Sequence, residues 1–290
     1  MTTATEARSG KGHRDENFPV ASRLIAPRHR APIMSFYNFV RAADDVSDHP
    51  TLSPDEKIAL LDRLEASLLG EAPPDPEAEP LRRVLAERGV SPRHAQDLLA
   101  AFRLDARKTR YADWDDLLGY CELSAMPVGR YVLDVHGEDR STWPASDALC
   151  AALQVINHLQ DCGKDFRALD RVYLPADVLA RHGAEVADLA GTRSTPALLA
   201  TIRGVNELSA SLLRRSAVFP GLIRNRRLSL EVAVIHGLAE RLTEKLRRRD
   251  PLADRVHAGK GEALGVAGLS IVRALLSRRA AGRLGAKAAA

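Results

Sequence analysis

An all-α protein is the fold class this sequence predicts, and three features predict it. Ala, Leu and Arg abound while β-branched runs are scarce, a composition of strong helix formers. Apolar residues recur at three- and four-residue spacing between Pro- and Gly-marked breaks, the period of a helix face. No alternating period-2 segment is long enough for a strand. With 290 residues, 45% of them hydrophobic and 28% charged, the chain has the balance of a protein that buries a core. The expected division is a flexible polar lead over 1–14, one helical domain over 15–262, and a C-terminal helix with a basic tail over 263–290.

The elements follow in order. The lead, MTTATEARSGKGHRDE, carries no secretory signal. Residues 17–27 are Pro-punctuated and read as a short helix or loop. From about Pro32 a helical pattern runs through Phe36, Phe39, Val40 and Ala43. It stops at His49-Pro50, because the residue before a proline avoids the α region. Ser53 then caps a helix with Pro54 at its first position, and Glu56 completes a capping box. EAPPDPEAEP (71–80) reads as a loop. Ser91-Pro92 opens a helix reaching about Lys108. Asp113 caps one that carries Leu117, Leu118 and Cys121 and continues past Pro127 with a kink. Asp147 is placed as the cap of a helix ending near Phe166. Residues 173–183 form a turn and a short helix closed by Gly183. Long helices are expected at 195–217 and 228–248, and a last one from about 263.

Net charge is +4, much of it from Arg247-Arg248-Arg249 and the tail from Arg273 onward. Such a surface suits anionic ligands, phosphates or a lipid surface. No nucleic-acid-binding motif accompanies it, so nucleic acid is not an expected partner. Cys121, Cys150 and Cys162 are widely spaced, which disfavours a disulfide framework or a thiolate zinc site. The longest apolar stretch, 264–276, is too short to span a bilayer and contains Arg273. A cytoplasmic protein follows, with a membrane surface as a candidate contact. GKGEALG (259–265) lacks the spacing of a phosphate loop and follows no strand, and no strand–GxGxxG–helix unit is present. Glu-x-x-His on two helices, the mark of a di-iron bundle, is absent.

Two acidic clusters stand out against this background. Asp44, Asp45 and Asp48 lie in RAADDVSD; Asn157, Asp161 and Asp165 lie in QVINHLQDCGKDF, with Gln154 one turn upstream. Asp44 and Asp48 share a helix face, and Gln154, Asn157, Asp161 and Asp165 draw one polar stripe. Like charges at this spacing repel, and burying them costs more unless cations answer them. Two such stripes facing each other would form an oxygen cage suited to Mg²⁺ with retained waters and substrate phosphates. Tyr37 and Arg41 share the face of Asp44; the Arg can grip phosphate oxygens and the Tyr can line a pocket. His158 falls off the stripe and reads as a packing or surface residue.

The segments YNFVRAADDVSD (37–48), LDARKTRYADWDDLLGYC (104–121), VGRY (128–131), QVINHLQDCGKDF (154–166) and RVYLP (171–175) resemble those of the squalene/phytoene synthase family. The resemblance extends from about residue 17 to 250. It implies a single-domain isoprenoid-synthase helical bundle with a deep central cavity. It also implies that Asp44, Asp48, Asn157, Asp161 and Asp165 hold Mg²⁺ and diphosphate, Asp44, Asp48, Asp161 and Asp165 acting in catalysis with Tyr37 and Tyr173. Arg41, Gln154, Gln160, Lys164, Arg171 and His236 are the further residues expected at the substrate.

Departures from the family pattern refine the expectation. Members that condense two prenyl diphosphates usually carry a Ser-x-Ser-Phe-like segment where this chain has Glu16-Asn17-Phe18-Pro19. The family's Asn-x-x-Arg-Asp becomes Asn157-His158-Leu159-Gln160-Asp161, and His236 stands in place of a pocket Tyr. ENFPVAS, SAMPVGR and NHLQDCGKDFRALDRVYLP look like the hydroxysqualene-forming branch of bacterial squalene and hopanoid synthesis. The implied reaction is ionisation of presqualene diphosphate, rearrangement, and capture of the cation by water, with His236 or Gln160 positioning that water. Phe36, Phe39, Val132, Leu133 and Leu153 are the expected apolar walls. The pathway partners would be a presqualene diphosphate synthase and a flavin-dependent hydroxysqualene dehydroxylase. Head-to-head condensation of two prenyl diphosphates is the alternative within the family. A non-catalytic helical assembly factor is the alternative outside it.

Overall fold

The computed structural model describes Ala4, Ser22 and residues 24–288, with side chains through 276. The 1–14 lead, apart from Ala4, and the Glu16–Pro19 segment lie outside the described residues, as do the side chains of Arg278 and Arg279 in the tail. Among the described residues twelve α-helices account for the architecture and no strand occurs. They are α1 (Pro27–Ser47), α2 (Pro54–Leu69), α3 (Glu79–Arg88), α4 (Arg93–Asp105), α5 (Trp114–Ser124) and α6 (Met126–His136). After these come α7 (Trp143–Leu169), α8 (Ala176–His182), α9 (Pro196–Ser216), α10 (Phe219–Leu222), α11 (Arg226–Arg248) and α12 (Lys260–Ala288).

Local chemistry explains most boundaries. Ser53 and Glu56 form the reciprocal capping box of α2, and Asp113 accepts from the Asp116 backbone N–H at the start of α5. Gly183 closes α8 at φ 68°, a left-handed conformation that glycine adopts without a Cβ penalty. Four boundaries differ from expectation. Helix α1 starts at Pro27 and passes through Pro32, which sits early enough to forfeit only one intrahelical bond. Helix α3 is absent from the sequence reading; Pro80 stands in its first turn, and Leu81 and Leu85 supply its buried face. The expected kinked helix is two helices, α5 and α6, parted at Ala125, and Pro127 falls in the first turn of α6. Helix α7 starts at Trp143, so Asp147 is not its cap; its carboxylate instead takes both Nε and Nη2 of Arg130, at 2.9 and 2.7 Å.

Burial divides into two cores. One gathers Leu117, Ile156, Leu159, Ile202, Val205 and Leu242 from α5, α7, α9 and α11. The other gathers Phe39, Leu61, Leu64, Leu81 and Leu99 from α1–α4, with Tyr131 of α6 stacked on Phe36 at 3.9 Å. Most of the buried face of α1 belongs to the second core, and that of α7 to the first.

Helices α6 and α7 approach closely at Gly129, where an added Cβ would lie 2.5 Å from Ser146 Oγ and 2.6 Å from Cys150 Sγ. An alanine in a helix interior normally gains about 1 kcal/mol over glycine. Here overpacking of roughly 1–3 kcal/mol opposes that gain. Gly129→Ala should therefore lower the denaturant midpoint, and an increase would refute the close approach.

Candidate active site

Six segments wall one cavity of about 380 Å³. From α1 come Tyr37, Val40, Arg41, Asp44 and Asp48, a single helix face. Helix α4 contributes Leu98, Phe102 and Asp105, and α5 contributes Tyr120 and Ser124. Gln154, His158, Asp165 and Leu169 project from α7, and Arg171 and Tyr173 from the extended segment that follows it. Val128 of α6 completes the wall.

The cavity is crowded with charge that the chain partly answers itself. Arg41 pairs with Asp44 at 2.9 Å and with Asp45 at 2.8 Å, Asp45 being buried. Arg171 is buried and reaches Asp48 at 2.5 Å, Ser47 Oγ at 3.1 Å and the Asp105 carbonyl at 3.2 Å. Asp105 accepts from Tyr120 at 2.7 Å and Tyr173 at 3.5 Å. Desolvation holds the Asp105 carboxyl up at about 6, against the opposing pull of Arg171. Burial, then the neighbouring Asp48 charge, pushes Asp44 up to about 7. Burial, then Asp161, pushes Asp165 up to about 7, and Asp48 adds to it from across the cavity. The carboxylates of α1 and α7 thus act on one another through space.

A carboxyl that folds with a raised pKa binds its proton more tightly folded than unfolded. Stability then falls as pH rises from about 4, the unfolded value, through about 7, and stays low above. With divalent cations chelated, Asp165→Asn should raise the melting temperature at pH 8 by about 2–4 °C, corresponding to ~1 kcal/mol. The gain should vanish near pH 4, and a gain that persists there would contradict the electrostatic origin.

Several expected residues stand elsewhere. Asn157 and Asp161 are half-buried at the edge of the cavity-facing sector of α7 rather than among its lining residues. At 100° per residue, Gln154, His158, Asp165 and Leu169 span only about 60°, and Asn157 lies roughly 60° outside that arc. His158 packs as expected, buried and stacked on Tyr173 at 3.5 Å, but it also lines the cavity. Burial, then Arg171, lowers its pKa to about 3. Gln160 does not face the cavity: its buried amide donates to the Val256 carbonyl and ties α7 to the segment before α12. His236 donates Nε2–H to Leu213 O at 3.0 Å and borders a separate cleft of about 590 Å³ between α10, α11 and α12. Neither residue can position water in the carboxylate cavity. Lys164 is exposed beside Asp165. Phe36, Phe39 and Leu133 are core residues, and Val132 and Leu153 pack on the first core; the apolar wall is Val40, Leu98, Phe102, Val128 and Leu169 instead. Asp105, Tyr120 and Ser124 escaped the sequence reading. The i, i+4, i+7 row Leu98, Phe102, Asp105 is the signal that would have found Asp105.

The donor set also bears on a metal. Among the described residues, no three Asp, Glu, His or Cys side chains converge as a metal-binding group. The arginines explain this, since each holds a carboxylate to its own side. What remains is a few hard oxygens facing one another across a polar cavity. That set fits a cation that keeps waters and shares phosphate oxygens, rather than one caged by protein alone.

Fold and site together define a helical synthase, and the chain belongs to the squalene/phytoene synthase family, whose model matches residues 12–262. Within it, the chain is 59% identical over 257 residues to a hydroxysqualene synthase of Rhodopseudomonas palustris, covering 89% of this chain and 88% of that one. It is 50% identical over 283 residues to a hydroxysqualene synthase of Sinorhizobium fredii, covering 98% and 97%. Among solved structures, squalene synthase HpnC from Alicyclobacillus acidocaldarius superposes with a TM-score of 0.72 at 30% identity, over 84% of this chain and 92% of that one. A dehydrosqualene synthase reaches 0.79 at 21% identity, over 95% and 96%, and speaks for the fold alone.

Proposed function

We propose that the chain is a hydroxysqualene synthase, a lyase that converts presqualene diphosphate and water to hydroxysqualene and diphosphate. The placement of carboxylates from α1 and α7 across one cavity carries this reading, supported by the identity to hydroxysqualene synthases over nearly the whole chain.

The C–O bond to diphosphate breaks with its electron pair leaving on the diphosphate, and a carbocation remains. The rings of Tyr37, Phe102 and Tyr120 offer π faces to that cation. Val40, Leu98, Val128 and Leu169 take hydrocarbon from water at about 0.8 kcal/mol per methylene. Arg41 and Arg171 keep Asp44 and Asp48 on the wall and stand ready to meet phosphate oxygens. Asp44, Asp48 and Asp165, with Asn157 and Asp161 at the edge, would hold Mg²⁺, which when bound neutralises the charge growing on the diphosphate. Tyr173 lines the cavity beside them. The rearranged cation ends by bonding to a water oxygen.

Pure protein with presqualene diphosphate and Mg²⁺ should yield hydroxysqualene, and farnesyl diphosphate alone should not be consumed. Consumption of farnesyl diphosphate would favour condensation, and no turnover of either would favour a scaffold. Full activity in EDTA would sink the metal assignment.

In this reading a presqualene diphosphate synthase supplies the substrate and a flavin-dependent hydroxysqualene dehydroxylase consumes the product. No described helix is long and apolar enough to cross a membrane. Helix α12 turns Leu264, Leu269, Val272 and Leu276 outward beside Arg273, a face suited to lying on an anionic lipid surface. Co-sedimentation with phosphatidylglycerol vesicles, reduced by Leu269→Ser with Leu276→Ser, is the expected result.

A further inference from the structure

We propose that Ser124 and His158 hold the water molecule that captures the carbocation. The proposal rests on the hydroxysqualene-forming reading above and assigns within it the step that Gln160 and His236 are placed too far aside to serve.

Ser124 at the end of α5 and His158 in the middle of α7 both line the carboxylate cavity, and their helices pack on each other. Ser124 Oγ and His158 Nε2 are each shielded from bulk solvent and have no hydrogen-bond partner among the described residues. A buried polar atom left unpaired is costly, and native interiors rarely keep one without a use. Here two stand on one wall. Neighbouring groups are already engaged: Tyr120 and Tyr173 with Asp105, Arg171 with Asp48, and Arg41 with Asp44.

The pair has the chemistry a held water needs. A buried water is kept by two to four polar partners. The His158 ring is fixed by stacking on Tyr173 with 11° between planes, so its nitrogen offers a fixed acceptor. The Ser124 hydroxyl rotates and either donates or accepts. A water that donates its hydrogens to these two groups keeps a lone pair for the cation. That lone pair forms the new C–O bond, and the proton shed passes to the diphosphate released in the first step. Leu98, Phe102 and Val128 share the wall, a surface for hydrocarbon beside the held water.

The test is the product ratio from presqualene diphosphate and Mg²⁺, read per mole of substrate consumed. The wild-type protein should give the alcohol. Ser124→Ala and His158→Phe should each lower the ratio of alcohol to C30 hydrocarbon formed by proton loss about tenfold, the effect of one hydrogen bond. His158→Gln, which keeps an acceptor, should recover part of it. Alcohol in wild-type proportion from Ser124→Ala and His158→Phe would overturn the proposal and leave the reading intact. Failure of the wild-type protein to form alcohol would overturn the reading itself. Circular dichroism checks each fold; if His158→Phe does not fold, the near-isosteric Ser124→Ala decides.

Discussion

Asp44→Asn and Asp165→Asn should each reduce turnover of presqualene diphosphate by on the order of 10³-fold, with helical content unchanged. The expectation follows from how the two carboxyls are held. Both sit inside the cavity with pKa values near 7, raised first by burial and then by neighbouring carboxylates. Neither contributes apolar burial to a core, so an amide of the same shape leaves the packing intact. What the amide cannot do is draw positive charge to the departing diphosphate, and removing one electrostatic stabiliser of a transition state typically costs 10²–10³ in rate. Loss of a hard anionic ligand adds to that. Single-turnover assays beside circular dichroism check both halves. Turnover within a few-fold of wild type in either variant would remove that carboxylate from the machinery.

Arg171→Ala should lower stability by about 1–3 kcal/mol, the cost of leaving the groups that its buried guanidinium binds without a partner. Arg171 answers Asp48 directly and lies against Ser47 and the Asp105 carbonyl. Its loss leaves Asp48 and Asp105 to repel in a poorly hydrated pocket, where the Asp105 carboxyl is already held up near 6. Arg171→Lys should restore only part of the loss, because an ammonium cannot form the fork that spans Asp48 and Ser47 together. Denaturant melts measure the difference, and a change below 1 kcal/mol would show that the network carries little.

The helices are legible in the sequence wherever caps and periodicity agree. Ser53 with Glu56, Asp113 and Gly183 mark real ends because each satisfies backbone groups locally. The misplaced start of α7 has a tertiary cause, since Asp147 could cap a helix but faces Arg130, 17 residues away. In the candidate site, the α1 face is legible from spacing alone: Tyr37, Arg41, Asp44 and Asp48 line the cavity together. The α7 face is legible only to within about one residue, because a stripe of polar residues does not fix which edge of it a partner helix covers. That margin separates Asn157 from His158. The family resemblance puts Gln160 and His236 at the substrate, yet both bind carbonyls on other segments that spacing cannot reveal. Asp105 is hard to single out because it ends a helix whose buried face is mostly apolar.

The two acidic faces are mounted on different hydrophobic cores: Asp44 and Asp48 on the one formed by α1–α4, Asp161 and Asp165 on the one centred on α7. A diphosphate and cation gripped by both would act as a clasp between halves. Any ligand that binds only the folded chain stabilises it by RT ln(1 + [L]/Kd), about 2.7 kcal/mol at a hundredfold excess over Kd. Here that energy is delivered across the seam. A substitution at the seam far from the carboxylates that shifts how the two faces meet therefore also shifts the grip on diphosphate. Substrate affinity in this protein is thus also a gauge of how firmly its two halves are joined.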